Sequence, residues 1–191
     1  MNPSSFELFS PASASPGDTF SFERQLLNQG TTLVAGIDEA GRGPLAGPVV
    51  AACVILPPEC EYQIFQDSKK LTAKKRLELF ARIREEALAY GIGYCDERTI
   101  DEINILRATK RAMVQAVHQA EAMLGAPADH VLLDALTLEE LPRPQTGIIR
   151  GDCLSVSIAA ASILAKLTRD DLMDEYSLEY PDYAFDRNKG Y

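Results

Sequence analysis

An α/β layer architecture around one mixed β-sheet is the fold class this sequence predicts, on three observations. Two β-branched segments stand early in the chain, separated by a turn rich in glycine and proline. Amphipathic helical stretches then alternate with short apolar runs bounded by turn residues. A long stretch rich in Ala and Ser comes last, a composition suited to a helix lying close on a sheet. At 191 residues the chain is sized for one domain with a small appendage, and it shows no internal repeat.

Taken in order, "MNPSSFELFSPASASPGDTF" is rich in Ser, Pro and Ala, and residues 1–21 read as a disordered tail ahead of a domain over 22–191. "SFERQLLNQG" fits a short helix at that boundary. "TLVAGID" and "GPVVAACVIL" read as strands, and Gly41, Gly43, Pro44 and Gly47 between them predict an antiparallel hairpin. Thr72 is placed to cap a helix whose apolar stripe is Leu77, Phe80, Ile83 and Ala87, with Gly91 as its stop. "GIGYCDE" fits a short strand. Thr99 is then expected to cap one continuous helix with Ile103, Leu106, Met113, Val117, Ala120 and Leu124 on one face, stopped by "GAP". "HVLLDAL" and "TGIIRGD" read as further strands, and "LSVSIAAASILAKLTRDDLMDEY" as the last helix, with Ile158, Ala161, Ala165, Leu172 and Tyr176 on one side.

Composition narrows the function. The apolar fraction of 46% and charged fraction of 25% are those of an ordinary globular protein. No apolar run is long enough to span a bilayer, and the N-terminus lacks the basic start and apolar core of a secretory signal, so a cytoplasmic protein is expected. Cys53, Cys60, Cys95 and Cys153 make no CxxC pair, and His118 and His130 form no ligand cluster. These spacings disfavour zinc; any metal would have oxygen ligands, which points to magnesium or manganese. The net charge of −9 weighs against nonspecific binding to nucleic acid. The run "KKLTAKKR" at 69–76, basic and free of acids, is either a solvated helix face or a phosphate site.

The acids carry the chemistry. Asp38 and Glu39 follow "VAGI", Asp134 follows "VLL" and Asp152 follows "IIRG", so three expected strands end in carboxylates. Ligand sites in open α/β sheets favour those ends. Taken singly, Asp134 is equally a turn residue, Asp152 equally a helix cap, and Glu39 equally a solvent-facing neighbour of Asp38. Taken together, four converging carboxylates repel one another unless a cation stands between them. Two divalent ions, roughly 3.5 to 4 Å apart, would compensate them and supply phosphodiester hydrolysis without a Ser, Cys or His nucleophile. The Gly41-Arg42-Gly43 turn has no Gly-Lys-Ser/Thr after it, which excludes a P-loop.

The blocks "GIDEAGRGPLAGPVVAACVIL", "DSKKLT", "DEINILRATKRAM", "VLLDAL", "RGDCLSVSIAAASILAKLTRD" and "NKGY", in this order from about Phe22 to the last residue, resemble the bacterial ribonuclease HII family. The DEAGRGP block is the specific one. The related type HIII enzymes carry a Gly-Thr-Gly-like sequence at Gly41-Arg42-Gly43, so HII is the better match. The resemblance implies a ribonuclease H-like fold, a central mixed sheet flanked by helices. It implies an endonuclease dependent on Mn2+ or Mg2+ that cuts the RNA of RNA–DNA hybrids and cuts 5′ to single ribonucleotides in duplex DNA, leaving 5′-phosphate and 3′-hydroxyl ends. Asp38, Glu39, Asp134 and Asp152 fall on the family's four active-site carboxylates. By the same resemblance, Gly41, Arg42 and Gly43 sense the 2′-hydroxyl, Tyr191 packs on the following sugar, and Lys69 lies near the substrate phosphates. Lys166, Arg169 and Asp170 are expected to pair with one another on the last helix.

The chain departs from the family pattern in three places. Ala135 stands where a glycine is usual, which matters if that backbone needs positive φ, and Asn188 stands where a histidine is common. Family sequences continue past Lys-Gly-Tyr with a helical segment that helps grip the duplex, and this chain stops at Tyr191. The expectation is a monomer with intact metal ligands and weakened substrate affinity. Two rivals stand beside it: a truncated hybrid-binding module without activity, and another nuclease of the same fold such as a junction resolvase.

Overall fold

A computed structural model describes residues 7–9, 18–58 and 72–191, the first group by backbone alone. Strands β1 (Glu7–Phe9), β2 (Val34–Ala40), β3 (Val49–Ile55), β4 (Ala89–Cys95), β5 (His130–Asp134) and β6 (Gln145–Ile148) form one sheet in the order β1-β6-β5-β2-β3-β4. The segment expected as a tail thus contributes β1, parallel to β6. The expected hairpin is present: β2 and β3 pair antiparallel, and β3 pairs antiparallel with β4. On its other side β2 is parallel to β5, and β5 to β6. The mixed α/β sheet flanked by helices agrees with the fold class read from the sequence. Among the described residues no helix is long and apolar enough to cross a membrane.

The helices are α1 (Ser21–Asn28), α2 (Ala73–Glu86), α3 (Glu97–Ile103), α4 (Ile105–Leu124), α5 (Gly151–Leu154), α6 (Val156–Glu179) and α7 (Phe185–Asn188). One face of the sheet buries Ala35, Ile37, Val131 and Leu133 against Ala112, Met113, Ala116 and Val117 of α4. The opposite face carries α6, with α2 beside it: Ala52 and Val54 pack with Leu79, Ile83, Ala160 and Leu164. Small residues set the spacing. A Cβ on Gly36 would lie 2.2 Å from the backbone of Ser157, so α6 lies directly on β2, as its Ala- and Ser-rich sequence predicts.

Four expectations are corrected. Thr72 does cap α2, accepting from the Lys75 N–H, but the helix ends at Glu86. Gly91 lies inside β4, where a Cβ would meet the Ala116 carbonyl oxygen at 2.1 Å; it is glycine for helix contact, not for a stop. Leu77 is 59% exposed, and Leu79 takes its place in the core. The single helix expected from Thr99 is two. Asp96 caps α3 by accepting from the Thr99 N–H, and Asn104, at φ 70°, breaks the chain before its own side chain caps α4. "TGIIRGD" is a strand only to Ile148; Arg150 turns at φ 60° and Asp152 lies on the one-turn α5.

Candidate active site

The register explains how the acids meet. β2 and β5 pair in parallel up to Ile37 and Leu133, both in the core beneath α4. One step further, Asp38 and Asp134 turn to the other face, under α6. Asp38 is the fifth residue of a seven-residue strand, so it lies inside β2 rather than at its end, and is buried. Asp134 does end β5, because Ala135 takes φ 51° and leaves the strand.

A cavity of about 440 Å3 opens at this point, lined by Asp38, Glu39, Gly41, Arg42, Gly43, Asp134 and Tyr191, all of them expected in the site. Glu39 lines it with Asp38 although neighbouring strand residues point opposite ways; the cavity wraps the end of β2. Asp152 is buried on α5 and does not line this cavity, although its neighbour Gly151 donates its N–H to Asp134 Oδ1 at 2.9 Å. Lys69 lies outside the described residues. The cavity also holds residues that were not singled out for it: Arg76, Ser162, Lys166 and Arg169. Ser162 is a hydroxyl in an Ala-rich helix, the one signal that could have marked it; Lys166 bonds Asp170 at 2.6 Å, the ion pair expected. Arg169 does not join that pair by any hydrogen bond shown. It donates to main-chain carbonyls instead.

Burial pushes the Asp38 carboxyl up to about 8, and the Glu39 charge adds to it. The Ser162 hydroxyl and the Glu39 N–H, 2.8 Å from Asp38 Oδ1, work against that rise. Glu39 is also raised by burial, opposed by Arg42, whose Nη1 donates to Glu39 Oε1 at 2.9 Å. The other oxygen, Glu39 Oε2, is buried without a hydrogen-bond partner. Among the described residues no three His, Cys, Asp or Glu side chains stand as a ready metal-binding group. The donor set around the cavity is nevertheless all oxygen, mutually repulsive and in part unsatisfied, which suits a hard divalent cation.

Comparison with known proteins agrees with the architecture. A ribonuclease HII of Ruminiclostridium cellulolyticum is 56% identical over 171 residues, 90% of this chain and 66% of that protein, so the chain spans about two thirds of the relative's length. The ribonuclease H2 of Pyrococcus horikoshii superposes with a TM-score of 0.69 at 24% identity, over 83% of this chain and 80% of that one. Bst-RNase HIII in complex with Mn2+ gives 0.63 at 19% identity, over 78% of this chain and 55% of that one. At those identities the likeness concerns the fold, a ribonuclease H-like one. The sequence model for ribonuclease HII matches residues 35–191, so this chain belongs to the ribonuclease HII family.

Proposed function

We propose that the protein is a ribonuclease H that hydrolyses the RNA strand of RNA–DNA hybrids and cuts 5′ to single ribonucleotides in duplex DNA. One observation carries the reading: Asp38, Glu39 and Asp134 share a single cavity with Gly41-Arg42-Gly43 and Tyr191. Hydrolytic ligands and a loop fit to approach a sugar thus face the same space.

Asp38, Glu39 and Asp134, with Asp152 from α5, would hold Mn2+ or Mg2+. Bound there, divalent ions would supply an activated water and charge stabilisation for the leaving 3′ oxygen. Attack of water on phosphorus would form a new P–O bond as the P–O3′ bond breaks, and the departing 3′ oxygen would take up a proton, leaving a 5′-phosphate and a 3′-hydroxyl. The chain's own groups do the rest. Ser162 orients the Asp38 carboxyl by hydrogen bonding. The Arg42 guanidinium holds Glu39 by one oxygen and leaves Oε2 without a hydrogen-bond partner. Gly41, at φ 110°, lets the loop pass close over Arg169, and Gly43 allows backbone close to the ribose, where a 2′-hydroxyl is read. Arg76 and Lys166 put positive charge on the wall for substrate phosphates.

A second reading, a hybrid-binding module without cleavage, is favoured by one observation, the position of Asp152 off the cavity lining. One experiment separates the two. The protein is incubated with duplex DNA containing one ribonucleotide, in Mn2+, Mg2+ or EDTA. Cutting 5′ to the ribonucleotide, lost in EDTA and in Asp134→Asn, is the expected result. Binding without cutting in either metal would favour the second reading. Cutting that needs no ribonucleotide would point to a different nuclease of this fold.

A further inference from the structure

Arg169 is 1% exposed, and each hydrogen bond shown from its guanidinium goes to a main-chain carbonyl. Nε donates to Pro48 at 2.8 Å, Nη2 to Ala46 at 2.9 Å and Nη1 to Lys189 at 2.9 Å. The first two acceptors belong to the loop after Gly43, and the third to the turn that carries Tyr191. The two segments also bond directly, since the Leu45 and Ala46 N–H groups donate to the Gly190 carbonyl at 2.9 and 3.2 Å. Glycines make room for the junction: a Cβ on Gly41 would lie 2.6 Å from Arg169 Nε, and one on Gly190 would lie 2.3 Å from the Ala46 oxygen. At its outer end Tyr191 Cε1 comes within 3.7 Å of where a Gly43 Cβ would stand.

The geometry points to Arg169 as a positioning residue for ribonucleotide discrimination. Its fork fixes the Gly41-Arg42-Gly43 loop against Tyr191, so the group that meets the 2′-hydroxyl and the group that meets the next sugar are held in one register. A buried arginine is costly unless its donors are satisfied, and here they are spent on two segments that no element of the sheet connects. A lysine keeps the charge but cannot reproduce three divergent donations. This assignment rests on the proposed function, in which the loop and Tyr191 read one junction. On an all-RNA strand, where no deoxynucleotide follows the cut, the register between them matters less.

The test compares the protein with Arg169→Lys on a single-ribonucleotide duplex and on an all-RNA/DNA hybrid, with amide exchange of Leu45 and Ala46 measured alongside. Arg169→Lys is expected to raise KM for the single-ribonucleotide duplex about tenfold, more than it lowers kcat and more than it raises KM for the hybrid. Exchange at Leu45 and Ala46 is expected to speed up about tenfold, with β2 amides keeping their protection. An equal loss of kcat on both substrates, or unaltered exchange at Leu45 and Ala46, would overturn the assignment. If Arg169→Lys does not fold, Gly190→Ala opens the same junction from the terminal side and is expected to give the same pattern; its failure to do so also overturns it. If the unaltered protein cuts neither substrate, the proposed function falls, and exchange alone then decides the clamp.

Discussion

At Ala135 a methyl group sits on backbone at φ 51°, the left-handed region that glycine occupies freely. The sequence flagged this position conditionally, and the condition holds. The residue is exposed, so nothing is lost by removing its Cβ. Ala135→Gly is expected to stabilise the protein by about 1 kcal/mol, read as a higher melting temperature. Asp38 makes a second claim. Its carboxyl is raised from 3.8 to about 8. The stability held by its protonated form is complete below about pH 4 and is lost as pH climbs through about 8. Metal-free protein should therefore melt lower at pH 8 than at pH 5, and Asp38→Asn, neutral throughout, should flatten that slope. An unchanged slope in the variant would show that other groups set it. Sequence reading missed Ser162 and gave Arg169 a local ion pair; each has a partner far off in the chain, 121 residues for Arg169 and Pro48, and no local pattern encodes such a meeting.

Among the elements, the hairpin was legible because alternation and turn chemistry are local. The break between α3 and α4 was not, because the apolar spacing runs through Asn104 as though the helix were continuous. Asn is among the few non-glycine residues suited to φ 70°, and its side chain also accepts from Arg107 N–H at 3.1 Å. Asn104→Ala should lose both and cost about 2 kcal/mol in denaturant unfolding. Gly91 misled for the opposite reason, since a glycine demanded by a neighbouring helix looks in sequence like a helix stop. Gly91→Ala drives a methyl against the Ala116 carbonyl and is expected to destabilise by about 3 kcal/mol. Its measured unfolding midpoint should fall well below that of Asn104→Ala.

On the scale of the molecule, the fold class was readable because strand and helix patterns are local, whereas the acids were picked out as strand ends and only Asp134 ends its strand. Asp152 was placed on a strand end because "IIRG" reads as continuous strand, whereas the turn at Arg150 carries it onto a helix. Ion binding should be visible without any substrate: Mn2+ at about a hundred times its dissociation constant should add about 2.7 kcal/mol of stability, removed by EDTA and absent in Asp38→Asn. The strand bearing Asp38 and Glu39 is also where the sheet changes from parallel to antiparallel pairing, with hydrogen-bonded neighbours on both flanks. Edges of a sheet loosen before its interior. Mild urea should therefore fray the margins while manganese affinity persists, and the grip on the ion should vanish only with the last cooperative transition.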